Sequence, residues 1–310
     1  MTLVTGIGTA VLAVPGIPVW GLFAVLMALG LVGAVLGGAR QGLLSQILPQ
    51  DGYLIGRSVL NMSAGITQIL GFAAGGVLVA VLSPRGTLLI AAGLDVLAAA
   101  VALRWFTARP ARAQGRPSVA ETWRVNALLW SSRPRRYLYL AMWLPNGLIV
   151  GCEAVFVPYA PDRAGLLLAA AAIGMFTGDV LTGRFVPHAW RTRLEPPLRV
   201  LLAAPYLLFA LHPAAPVAGA AILVASVGYG STLLLQDRLL TLTPGEIHGQ
   251  ALGLHASGMM TMQGVCAAFS GAVAEHTTPA TAMVVMGTLS LLVTLALVPG
   301  LRPVSPAAAS

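Results

Sequence analysis

Apolar residues in this chain come in long runs, broken by short stretches of Pro, Gly, Ser and Arg. A helix that crosses a bilayer takes about 20 mostly apolar residues. By that measure the pattern predicts spans at 3–18, 20–39, 58–82, 86–105, 137–158, 164–183, 198–212, 215–235, 250–273 and 280–300, ten in all. A membrane barrel would alternate apolar and polar positions, but these runs are apolar on both parities. Backbone groups in lipid must be satisfied within their own segment, so helices follow. The breaks carry turn chemistry at Pro15-Gly16-Ile17-Pro18, Ser83-Pro84-Arg85-Gly86, His212-Pro213 and Thr277-Thr278-Pro279. One long polar stretch, 106–136, reads as a linker, and about 118–131 within it is expected to form a short amphipathic surface helix. The expected organisation is an all-α membrane protein in a four-plus-six arrangement. It has a partial helical bundle over 1–105, the linker, a six-helix bundle over 137–302, and a tail over 303–310.

Composition agrees with that pattern. Hydrophobic residues make up 57% of the 310 and charged residues only 9%, against roughly 25% charged in soluble domains. A water-soluble protein of this size has no means of hiding so much apolar surface, which makes the bilayer the expected partner. The net charge of +8 comes entirely from arginine, since the chain has no lysine. The arginines lie between apolar runs rather than along one face, which argues against nucleic acid. One set of connections holds Arg40, Arg57, the eight arginines from Arg104 to Arg136, Arg184, Arg191, Arg193, Arg199, Arg238 and Arg302, a total of 16. The other set holds only Arg85 and Arg163. Basic residues accumulate on the cytoplasmic side, so the expected location is the plasma membrane, multi-pass, with linker and termini cytoplasmic. Cys152 and Cys266 fall inside apolar runs and read as small buried hydrophobes. No metal or cofactor is expected. The chain lacks H-E-x-x-H, G-x-S-x-G and a Lys-containing phosphate loop, so no enzyme is expected.

A short internal repeat is visible. Residues 56–65 read G-R-S-V-L-N-M-S-A-G and residues 249–258 read G-Q-A-L-G-L-H-A-S-G, 193 positions apart, each expected to open a helix. Pro49 and Pro244 keep nearly the same offset. Parallel repeats of helical halves are a transporter device. Projecting the second half back by that offset predicts about 56 further residues, enough for two helices, ahead of residue 1. The apolar start, without a positive segment before it, is expected of a span that was once internal and not of a cleavable signal peptide.

In topology, linker position and half-length the chain resembles the major facilitator superfamily, in particular its twelve-helix drug-exporter-like branch, with helices three to twelve present. The exporter signature of helix five is approximated by Gly71-Phe72-Ala73-Ala74-Gly75-Gly76, with Phe72 where the family has proline. Asp179, Gly183 and Arg184 approximate the acidic-Gly-Arg pattern between helices eight and nine. Leu29 stands four residues before Gly33, where many proton-coupled members carry arginine.

Ionisable residues within spans are functional candidates by default. Glu153 leads: Trp143, Asn146 and Glu153 share a face of one span, beside Pro145 and Gly147. The resemblance implies that this span, helix seven of the pattern, lines a cavity, where a carboxylate would bind a proton or a cationic substrate. Asp95 lies mid-span in another helix as a proton-relay candidate or a hydrogen-bonded carboxyl. His255, Met259 and Met262 share a face with Gln263 beside it, and Tyr229, Thr232 and Gln236 share another. Glycines four apart, at 33 and 37, 71 and 75, and 174 and 178, predict close helix packing. Asp237 with Arg238, and Asp179 with Arg184, are candidate gating ion pairs or solvated charges. The expected function is a secondary transporter that moves a small apolar or cationic compound outward by alternating access, with Glu153 as its proton or cation site. The alternative is a truncated, non-transporting membrane remnant with an open apolar groove where two helices should be.

Overall fold

The computed structural model describes residues 2–30, 53–105 and 119–301. Its elements are helices and the turns that join them, with no strand among the described residues. Five helical stretches are both long and apolar enough to cross a membrane: Ile66–Trp105, Pro161–Phe185, Ala189–Leu211, Ala215–Thr241 and Pro279–Leu301. Large apolar side chains remain on the outside, among them Leu103 and Trp105, each 82% exposed, and Leu211 at 78%. Exposed apolar surface of this extent calls for a non-aqueous surround. An all-α membrane protein is therefore the class that fits.

Among the described residues these five stretches do not reproduce the expected ten spans in a four-plus-six arrangement. The spans expected at 58–82 and 86–105 fall in one apolar stretch, as two helices that meet at a kink at Ser83. The span expected at 3–18 yields a shorter helix, Thr2–Leu12, and the one expected at 20–39 is described only as far as Val19–Gly30, its remainder lying outside the described residues. The spans expected at 137–158 and 250–273 carry too many polar residues to meet the same apolar criterion.

The chain divides into two compact units, with the boundary after Arg116, inside the expected linker. The first contains α1 (Thr2–Leu12), α2 (Val19–Gly30) and most of α3 (Tyr53–Trp105). The turn after α1 uses Gly16 at φ +83, a conformation that only glycine adopts without steric cost. α3 is broken at the expected place: Ser83 has φ 76 and ψ 160 and precedes Pro84. Proline disfavours helical backbone in the residue before it, and Ser83 then starts the second arm. Its Oγ accepts from the Gly86 N–H at 3.5 Å and its carbonyl from the Thr87 hydroxyl at 3.0 Å. Gly6 of α1 packs on Asp95 of α3.

In the second unit, α4 (Val119–Ser131) is the expected surface helix. Trp123 faces outward while Leu129 is wholly buried. On its outer face Arg124 donates to Glu121 at 2.6 and 3.0 Å, and this bond holds the Glu121 carboxyl below its ordinary range. Six helical stretches follow. α5 (Arg133–Ala154) begins four residues before its expected start, taking Arg133 to Arg136 into its first turn. α6 (Ala164–Val180) continues as a wide turn to Phe185. α7 (His188–Ala203) continues as a tighter turn to Leu211. α8 (Ala215–Val227) passes through Gly228–Gly230 into α9 (Ser231–Thr241). α10 (His248–His276) and α11 (Pro279–Leu297) complete the unit.

α5 is central, packing along α10 and α11, while α6 packs on α8. The close approaches are made by glycine. A Cβ on Gly174 or Gly178 would lie 2.2 Å from the carbonyl of Leu223 or Val227, as the small-residue spacing predicts. The same spacing at Gly71 and Gly75 does not mark an approach, since no described atom lies within 4 Å of either added Cβ. Gly33 and Gly37 lie outside the described residues, as do Arg40 and Pro49. Both copies of the repeat sit at helix starts, in α3 and α10. Gly258, the second glycine of the later copy, seats the Trp143 indole, which an added Cβ would approach to 2.3 Å.

Candidate functional site

α5 and α10 are the two long helices of the second unit that fall short of the apolar criterion, and they pack on each other. Several of their polar side chains are turned toward neighbouring helices and bonded there. Interhelical hydrogen bonds satisfy groups that lipid would leave unpaired.

Three layers of contact are built this way. Near the end of α5, the Tyr229 hydroxyl donates to Glu153 Oε1 at 3.0 Å. Tyr229 is buried and Glu153 half-buried. Tyr206 belongs to the same core as Tyr229, and its buried hydroxyl has no hydrogen-bond partner. Two turns toward the start of α5, Gln263 Nε2 donates to Asn146 Oδ1 at 2.8 Å. Gln236 Nε2 lies 3.0 Å from His255 Nε2. With the amide nitrogen donating, His255 is a neutral acceptor there and its proton sits on Nδ1, which is buried without a partner. Trp143 Nε1 donates to the His255 carbonyl at 3.0 Å, and the Tyr139 hydroxyl to the Ala251 carbonyl at 3.2 Å.

The structure thus brings Glu153, Asn146, Trp143, Tyr229, Gln236 and His255 together along the seams of α5, α9 and α10. Glu153 and His255 occupy different layers. Their partners Tyr229 and Gln236 are seven residues apart, about 10 Å of helix. Met262 is packed on Gly147, and Thr232 is half-buried without a hydrogen bond. Asp95 belongs to the first unit.

The four expected gating residues are paired differently from the expectation. Asp237 accepts from Arg191 of α7 at 2.9 Å, not from Arg238, because adjacent residues on a helix do not face each other. Arg238 donates to the Leu301 carbonyl. Asp179 and Arg184 are both exposed and form no ion pair with each other. The Arg191–Asp237 bond braces two helices of one unit.

Sequence reasoning missed Glu195 and Arg199. The span expected at 198–212 begins about ten residues earlier, so Arg199, read as a loop residue, is 2% exposed and paired with Glu195 at 2.9 Å. The signal was an acid and a base four apart on one helical face. Pro196 and Pro197 lie between them, inside α7.

No protein-family model matches the chain, and no curated protein matches it.

Proposed function

We propose that the chain is a secondary transporter of major-facilitator type that exports a small apolar or cationic compound across the plasma membrane, with Glu153 as its proton or cation site. The observation that carries this reading is Glu153 itself. It is an acidic side chain within an apolar bundle, bonded to the buried Tyr229 hydroxyl rather than to a base. Among the described residues its charge has no ion-pair partner. A carboxylate kept in such surroundings without a structural counter-ion is suited to a charge that comes and goes. In transporters of this kind the path runs between two helical halves near the midplane. α5, α9 and α10 would form the second half's wall, with Asn146, Gln263, Gln236 and His255 as its polar contacts. The separation of Glu153 from His255 supports transport over acid–base catalysis by that pair.

The remnant reading has one observation of its own. Among the described residues the apolar arm of α3 is largely uncovered, with no described atom within 4 Å of an added Cβ at Gly71 or Gly75, as an open groove would show. Efflux of a fluorescent lipophilic cation from cells separates the two. Transport predicts export by the wild-type chain and its loss in Glu153→Gln at equal membrane abundance. Absence of export across a panel of lipophilic cations, with folded protein in the membrane, favours the remnant.

A further inference from the structure

We infer that the second unit carries a binding site for a phosphate group at the end where the linker joins it. That end is fixed by contacts: Arg135 of α5 donates to the Leu242 carbonyl at the close of α9, and Gly300 after α11 packs on Tyr137. A cavity of about 160 Å³ lies there, lined by Thr192, Glu195, Pro196, Arg199, Arg238, Val298 and Leu301. It is smaller than the roughly 300 Å³ at which drug-sized sites begin, so it suits a compact group. Thr192 and Pro196 are exposed, so the cavity reaches the surface.

Its charges do not cancel. Arg199 and Arg238 face one carboxylate, Glu195, while the neighbouring Arg191 is already neutralised by Asp237. Arg199 is 98% buried by complement of its 2% exposure, and its Nη1 is buried with no acceptor. Arg238 spends one Nη1 bond on the Leu301 carbonyl and has other donors left. Two guanidinium forks around a small cavity match the oxygens of phosphate, which they bind by paired charge-assisted bonds. A buried guanidinium donor left without an acceptor is costly, and an oxyanion bound beside Arg199 Nη1 removes that cost. The group has two sources, inorganic phosphate or the headgroup of an anionic phospholipid, for which basic pockets between membrane helices are suited. The apolar Pro196, Val298 and Leu301 on the walls would accept the stem of such a lipid.

The test uses the purified chain in phosphatidylcholine nanodiscs, reading the thermal unfolding midpoint. One arm titrates sodium phosphate against sodium chloride at matched ionic strength. The other replaces part of the lipid with phosphatidylglycerol. A saturable rise with phosphate assigns the site to the free anion, and a rise with phosphatidylglycerol alone assigns it to the headgroup. In either case Arg238→Gln weakens the response about tenfold, the loss of one charge-assisted bond, and Arg184→Gln, at an exposed arginine away from the cavity, leaves it unchanged. Arg238 is chosen because it is half-buried and its loss leaves the Glu195–Arg199 pair intact. No rise with either probe beyond the chloride control overturns the site, as does an equal rise in Arg238→Gln.

Discussion

At Gly174 and Gly178 a single methyl group decides whether α6 and α8 can touch. Each faces a carbonyl of the opposing backbone, which cannot rotate aside as a side chain would. Gly178→Val is expected to lower stability by about 1–3 kcal/mol or more, seen as a lower unfolding midpoint in detergent. Gly219→Ala, on α8 with nothing within 4 Å, is expected to be neutral in the same assay. Polar residues follow the same logic of partners. For Asn146 and Gln263 a double-mutant cycle with alanine is expected to give a coupling of about 0.6–2 kcal/mol, the range for interhelical hydrogen bonds in membranes. A coupling near zero would mean that the 2.8 Å bond is not made in the bilayer. The residue types at these positions were legible in the sequence, but their partners were not. Periodicity gives the face of a helix, whereas the partner depends on how far one helix is shifted along the next. Hence Asp237 was matched with adjacent Arg238 and instead pairs with Arg191, 46 residues away.

Elements show where local chemistry is enough and where it is not. The break at Ser83-Pro84 was legible because proline restricts its predecessor whatever the surroundings. The bend is strained, since a serine at φ 76 and ψ 160 occupies a region essentially reserved for glycine. Ser83→Gly is expected to stabilise the first unit by about 1 kcal/mol, at the low end of such strain because the weak Oγ contact is lost, and chemical denaturation of the variant would show it. At Pro196-Pro197 the same local restriction does not end the helix. In a bundle, backbone groups freed by proline find other partners, and α7 runs through both residues. The surface helix α4 was legible from its amphipathic pattern. What fixes it, Trp130 stacked on Trp143 at 5.6 Å, was not, because the two aromatics come from separate elements. Its exposed Glu121–Arg124 bond adds a pH dependence of definite sign. A carboxyl with a lowered folded pKa stabilises above its ordinary range, and that contribution is lost as pH falls through the lowered value. Glu121→Gln is therefore expected to flatten the acid limb of α4 helicity, measured by amide exchange over 119–131.

For the whole molecule, the long apolar runs identified helices, and 57% hydrophobic with only 9% charged residues identified a non-aqueous surround. The number of spans was less legible. Length and hydropathy treat every apolar run alike, whereas α5 and α10 gain their place by packing and hydrogen bonding with each other. Those two helices carry the account, since the two long helices of the second unit that fall short of the span criterion line up the residues proposed for transport. The most direct measurement is uptake of tetraphenylphosphonium into proteoliposomes under an imposed pH gradient, comparing wild type, Glu153→Gln and empty vesicles. The account predicts gradient-driven uptake by the wild type and background uptake by Glu153→Gln, which can keep the Tyr229 hydrogen bond while losing the charge. Gradient-driven uptake that is equal in wild type and Glu153→Gln, above empty vesicles, would contradict it.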